Sequence, residues 1–134
     1  MAGIMTTEGE TLMAEVVHQR IHIDRDADLL LGLFTNVGAD DSLTEATVTE
    51  PSGTGYARIT LTDATWNVTA DTADYAQQTF TGGAGGWTGD VYGYFVASQG
   101  TTARLLYLEI DSGGSYTINE NDTYKITLNI TISG

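Results

Sequence analysis

The chain has 134 residues, no cysteine, and 18 acidic residues against 5 basic ones, for a formal net charge of -13. That length fits one domain, large enough to bury roughly two-thirds of the surface its unfolded chain exposes. Without cysteine there are no disulfide scaffolds, thiolate zinc sites or cysteine nucleophiles, and the charge argues against nucleic acid and anionic membranes as partners, since binding either draws on clustered Lys and Arg. No apolar run approaches the roughly 20 residues of a membrane span, and the opening MAGIMTTEGE lacks the basic and apolar regions of a signal peptide.

The first predicted element is a short helix. Thr7 and Glu10 have capping-box spacing, and Leu12, Met13, Val16 and Val17 then fall on one helical face. This predicts an N-terminal arm with a short helix over residues 1–28. A β-sandwich domain is predicted over 29–134.

From Leu29 the pattern becomes that of strands. LLLGLFT reads as a buried strand and NVGADDS as a polar loop. GYARITLT alternates, with Tyr56, Arg58 and Thr60 on one face and Ala57, Ile59 and Leu61 on the other. ATWNVT places Trp66 and Val68 on one side. QQTFT reads as a further short strand, and VYGYFVA and ARLLYLEI as strong ones. TYKITLNITIS is the clearest: Tyr124, Ile126, Leu128, Ile130 and Ile132 point one way, and Lys125, Thr127, Asn129, Thr131 and Ser133 the other. EPSGTG, TGGAGG, SQGTT, DSGGS and NEND supply the turns between them. Six to eight short strands at this spacing predict an all-β, jelly-roll-like antiparallel sandwich with one short N-terminal helix.

Several stretches invite chemical readings. The glycine run at Gly82, Gly83, Gly85 and Gly86 lacks the lysine and the following helix of a P-loop, so it reads as a loop leading into a strand. Gly93, inside that strand, marks a bulge or a close approach by another group. Asp24, Asp26 and Asp28 alternate as in a calcium loop, but Leu29 and Thr35 stand where an EF-hand needs Gly and Glu; an acidic turn is the simpler reading. Asp111-Ser112-Gly113 matches the aspartic-protease triplet but equally a turn, and as a turn it predicts that Asp111→Asn leaves folding nearly unchanged. His18 and His22 have helical i, i+4 spacing without a nameable third metal ligand. Asn67, Asn121 and Asn129 begin glycosylation sequons that read as ordinary strand and turn sequence. The aromatic residues Trp66, Trp87, Tyr92, Tyr94 and Phe95 suit a core or subunit contact better than a sugar platform. No catalytic set, cofactor site or metal site is predicted.

The ordered set LLLGLFTN (29–36), EPSGTGYARITL (50–61), GGWTGDVYGYFVAS (85–98) and LLYLEIDSGGSYTINENDTYKITLNITI (105–132), behind a short N-terminal helix, resembles small virion proteins of tailed bacteriophages. That resemblance covers most of the chain. It implies a jelly-roll-like sandwich in a symmetric oligomer, with no catalytic residue. The function expected from it is that of a head decoration, or cement, protein on the outer capsid surface. Its partners would be the major capsid protein and its own copies in a homotrimer, with no nucleic acid, membrane or cofactor. The alternatives are a tail-tip, baseplate or fibre-associated structural protein, or a carbohydrate-binding jelly-roll module presenting Trp87 and nearby tyrosines. Leu12, Met13, Val16, Val17, Trp87, Tyr92 and Tyr94 are the expected docking or subunit contacts.

Overall fold

The computed structural model describes residues 3–9, 28–62, 65–69, 72–99 and 103–131. Among the described residues there are eight strands: β1 (Ile4–Met5), β2 (Leu29–Phe34), β3 (Ile59–Leu61), β4 (Asn67–Thr69), β5 (Thr72–Thr81), β6 (Gly93–Ala97), β7 (Leu105–Ile110) and β8 (Thr123–Thr131). They form a five-stranded sheet, ordered β1-β7-β6-β2-β3, and a three-stranded sheet, ordered β4-β5-β8, with every pair antiparallel. The chain is therefore all-β and sandwich-like, as its alternating segments predict.

The alternation of β8 places Ile126 and Leu128 in the core and leaves Thr123, Lys125, Thr127, Asn129 and Thr131 exposed. They meet Leu31 and Leu33 of β2, Val96 of β6 and Tyr107 of β7 in one apolar cluster between the sheets. The larger sheet is buried on its second face as well. There Phe34, Phe95, Ala97, Leu105 and Leu108 are covered by Leu43, with Ala39 and Val48 packed alongside. Double burial explains why LLLGLF and GYFVA read as nearly continuous apolar runs. Two glycines permit this packing: Phe95 lies across Gly32 and Phe34 across Gly93, and a Cβ would meet ring carbons at 2.3 and 2.8 Å respectively. The close approach expected at Gly93 is thus made by Phe34 and by the carbonyl of Glu109.

The loop that covers the second face is tied down by polar contacts. Thr35 N–H donates to the Thr49 carbonyl at 2.8 Å, and Asn36 bridges the Thr47 carbonyl and the Thr49 N–H. Arg58 pairs with Glu45 at 2.7 Å and with Glu50 at 2.9 Å, its guanidinium 4.9 Å from the centre of the Phe95 ring. Burial opposes the Arg58 charge, but the bonds to Glu50 and Glu45 outweigh it and hold the guanidinium protonated.

Two bulges shape the sandwich. In β5 the register slips between Tyr75 and Gln78, so Tyr75 and Phe80, five residues apart, both reach the core. In β7 the slip lies opposite Val96 and Ala97 and leaves Leu106 with no register partner in β6. The N-terminal segment fills that gap. Glu8 Oε2 accepts from Leu105 N–H at 2.8 Å, Thr6 N–H donates to the Leu106 carbonyl at 3.2 Å, and the buried Thr6 hydroxyl donates to the Leu105 carbonyl. Residues 7–9 are helical, and Gly9 N–H donates to Thr6 Oγ1 at 2.9 Å. The N-cap is therefore Thr6, not Thr7. Thr6 wins that place because its hydroxyl is already fixed at the bulge.

Three further expectations change. Tyr56 does not share a face with Arg58 and Thr60. The backbone bends at Gly53 and Gly55 before β3 begins, and Tyr56 turns inward to stack on Phe80 and meet Trp87 edge-on. The QQTFT segment belongs to a ten-residue strand rather than a short one. In β4 every residue is exposed; Trp66, just before it, packs edge-on against Tyr75.

Candidate functional site

The aromatic segment after the glycine run serves the scaffold. Trp87 is 7% exposed; its indole N–H donates to the Thr54 carbonyl at 3.0 Å and its backbone N–H to the Ile118 carbonyl at 2.9 Å. Gly86, at φ +70°, sits where a Cβ would lie 2.8 Å from the Ile118 carbonyl oxygen. The glycines thus let three loops approach backbone to backbone, as expected of architecture rather than of a ligand cradle. Tyr94 is buried in the same cluster, and Tyr92 packs against the cluster on the second face. Leu12, Met13, Val16 and Val17 lie outside the described residues, as do His18, His22, Asp24 and Asp26. Asp28 is described, and its carbonyl accepts from the Gln99 amide. Asn67 is exposed in β4, Asn121 holds a turn at φ 67°, and Asn129 donates to Asp74.

A polar cavity of about 220 Å³ is lined by Tyr94, Glu109, Ile110, Asp111, Ser112, Tyr124, Lys125, Ile126 and Thr127. Four consecutive β8 residues line it, although their side chains alternate between faces. No β5 residue does so. The cavity therefore runs along the edge of β8 that faces away from β5.

Tyrosine–carboxylate pairs build its floor. Tyr107, Glu109 and Asp111 alternate along β7 and the residue after it, so they share the face toward the smaller sheet. Tyr94 OH donates to Glu109 Oε2 at 2.7 Å, and Tyr124 OH to Asp111 Oδ2 at 2.7 Å. Asp111 Oδ1 accepts from Gly113 N–H at 2.9 Å, closing an Asx-type turn. Burial, followed by the bond to its carboxylate, pushes the Tyr94 and Tyr124 phenols far above the ordinary tyrosine range. Burial and the Glu109 charge also raise Tyr107. These phenols stay protonated and act as donors; they are poor bases and nucleophiles at neutral pH. The cavity offers carboxylate oxygens, hydroxyls and an open strand edge, which suits hydrogen bonding to a polar group or a backbone.

Asp111 is a turn residue, as its Asp-Ser-Gly context suggests, but its carboxylate also anchors Tyr124. The expectation that Asp111→Asn is nearly neutral changes accordingly. Asn keeps the turn but loses the charged acceptor, at a cost of about 1–2 kcal/mol. Urea melts should show a lower midpoint with an unchanged slope.

Sequence reasoning missed Tyr124, Glu109 and Lys125 as cavity residues. The available signal was two acids, Glu109 and Asp111, on the strand face that Tyr107 commits to the interior.

Among the described residues no group of three or more His, Asp or Glu is placed to hold a metal ion, and no helix is long and apolar enough to cross a membrane. No family model, curated protein or solved structure matches the chain.

Proposed function

We propose that the chain is a structural protein of a tailed-bacteriophage virion, a decoration protein on the outer surface of the head. It contacts the major capsid protein and its own copies, the latter as a homotrimer. The observation that carries this reading is the use of the aromatic segment. Trp87, Tyr94 and Phe95, which a carbohydrate-binding module would turn outward, are spent on the core and on loop-to-loop contacts. The glycan-binding alternative thereby loses Trp87 as a stacking platform. A net charge of -13 suits the outside of a shell, away from packaged DNA. The mechanism is mass action: a protein that binds the assembled shell better than the free subunits stabilises the shell.

Quantitative mass spectrometry of purified virions, scaled to the major capsid protein, tests the reading. One copy per capsid subunit, or a simple fraction such as one third, is the expected ratio. A few copies per hundred subunits would move the protein to the tail. Absence from the particle would end the virion reading.

A further inference from the structure

We infer that β8 is a self-pairing edge, through which two copies of this chain join their three-stranded sheets into one continuous antiparallel sheet. Each sheet has two edge strands. β1, β3 and β4 are 2, 3 and 3 residues long, too short to template another strand. β8 is 9 residues long, and among the described residues its outer edge pairs with no other strand. The cavity along residues 124–127 leaves that edge unfilled. Long uncovered edges recruit further strands unless charges block them, and the only charge on β8 is the single Lys125.

Charge and sequence symmetry identify the occupant as a second copy. Copies carrying -13 each repel unless the meeting strands add little negative charge of their own; the two carboxylates beside this edge, Glu109 and Asp111, each accept from a tyrosine hydroxyl. β8, TYKITLNIT, holds one lysine and no acid, in a chain with 18 acids. The strand is also close to a palindrome in residue type about Thr127. Antiparallel pairing centred there sets Thr127 against Thr127 of the copy, Ile126 against Leu128, Lys125 against Asn129, Tyr124 against Ile130 and Thr123 against Thr131. Every pair is like with like in polarity, and no lysine faces a lysine. A two-fold contact needs this self-complementarity, because each partner presents the same patch. The contact is separate from the three-fold one expected of a trimer; on a shell carrying both axes it links neighbouring trimers. It requires only the chain itself, so it stands or falls apart from the virion reading.

The absence of cysteine makes the test direct. Thr127→Cys is exposed and would place two thiols opposite each other across the two-fold axis. Directly opposed residues in antiparallel strands have Cα atoms about 4.5–5.5 Å apart, within disulfide range. Thr123→Cys is equally exposed on the same strand, but its copy would lie eight residue steps away, roughly 27 Å at strand rise. Under mild oxidation at high protein concentration, Thr127→Cys should form disulfide-linked dimers at least about tenfold faster than Thr123→Cys, because the contact raises the effective thiol concentration. Thr127→Lys, which opposes like charges on the axis, should shift the otherwise native chain toward monomer in sedimentation. Equal crosslinking rates for the two cysteine variants, or a native chain whose mass does not respond to Thr127→Lys, would overturn the inference.

Discussion

Leu128→Asp is expected to abolish folding at neutral pH. Leu128 is fully buried, lies opposite Tyr75 in the β5–β8 ladder and belongs to the cluster between the sheets. Truncating a core leucine alone costs about 2–5 kcal/mol, because the cavity left behind does not fully collapse. The aspartate adds the desolvation of a carboxylate in a cluster whose described residues include no cation. A group in that position either stays charged at high cost or takes up a proton, and both routes subtract from stability. The combined loss rivals the roughly 5–15 kcal/mol that holds a typical domain together. Thr127→Asp, one residue away on the exposed face, should change stability by no more than about 0.5 kcal/mol in dilute solution. Circular dichroism melts of the two variants separate the faces of β8. A Leu128→Asp chain that melts like the parent would remove Leu128 from the core.

That contrast also shows where the fold is legible. In β8 the register is unbroken and one face meets water, so period-two alternation survives in the sequence and names the core residues directly. In β5 it does not. Tyr75 and Phe80 are an odd number of residues apart, which alternation assigns to opposite faces; the bulge between Tyr75 and Gln78 brings both inward. A bulge has no compositional signature here, since DYAQQTF contains neither glycine nor proline at the slip. Tyr56 was hidden for a related reason. Its direction depends on Gly53 and Gly55, whose positive φ angles turn the chain before the strand begins. The N-terminal contacts were hidden because Glu8 and Thr6 bond backbone groups of Leu105, nearly a hundred residues away at the β7 bulge. Trp87 was legible only as a core or subunit contact, and its burial shows the core role. The cavity was half legible. Glu109 and Asp111 announce themselves as acids on an inward face, whereas their phenol partners come from β6 and β8 and are joined to them only by the folded sheets.

Those phenols give the second large expected effect, a cooperative alkaline unfolding that begins above pH 10. Tyr56, Tyr94, Tyr107 and Tyr124 all have phenols held above the ordinary tyrosine value of about 10, by burial first and then by a neighbouring carboxylate, or by its charge in the case of Tyr107. The folded pKa exceeds the unfolded one. The stability this linkage carries is therefore complete below pH 10 and is lost as the pH climbs above it, because only the unfolded chain then releases the protons easily. Each phenol contributes a slope of at most about 1.4 kcal/mol per pH unit, with the half-buried Tyr56 and Tyr124 contributing less because solvent screens them. Phenolate absorbance for these four should appear together with the loss of β-sheet circular dichroism, as one transition. Added salt weakens the general repulsion of an acidic chain but reaches the buried phenols poorly, so it should move the midpoint only slightly. Tyr94→Phe removes one of the linked protons, and its stability should fall less steeply with pH than the parent's, by up to about 1.4 kcal/mol per unit. Its loss of the Glu109 bond lowers stability at neutral pH by about 1–2 kcal/mol, so the slope, not the midpoint, is the diagnostic. Smooth titration of all the phenols while the circular dichroism stays native would show that Tyr94 and its neighbours are open to solvent, and would dissolve the tyrosine–carboxylate floor of the cavity.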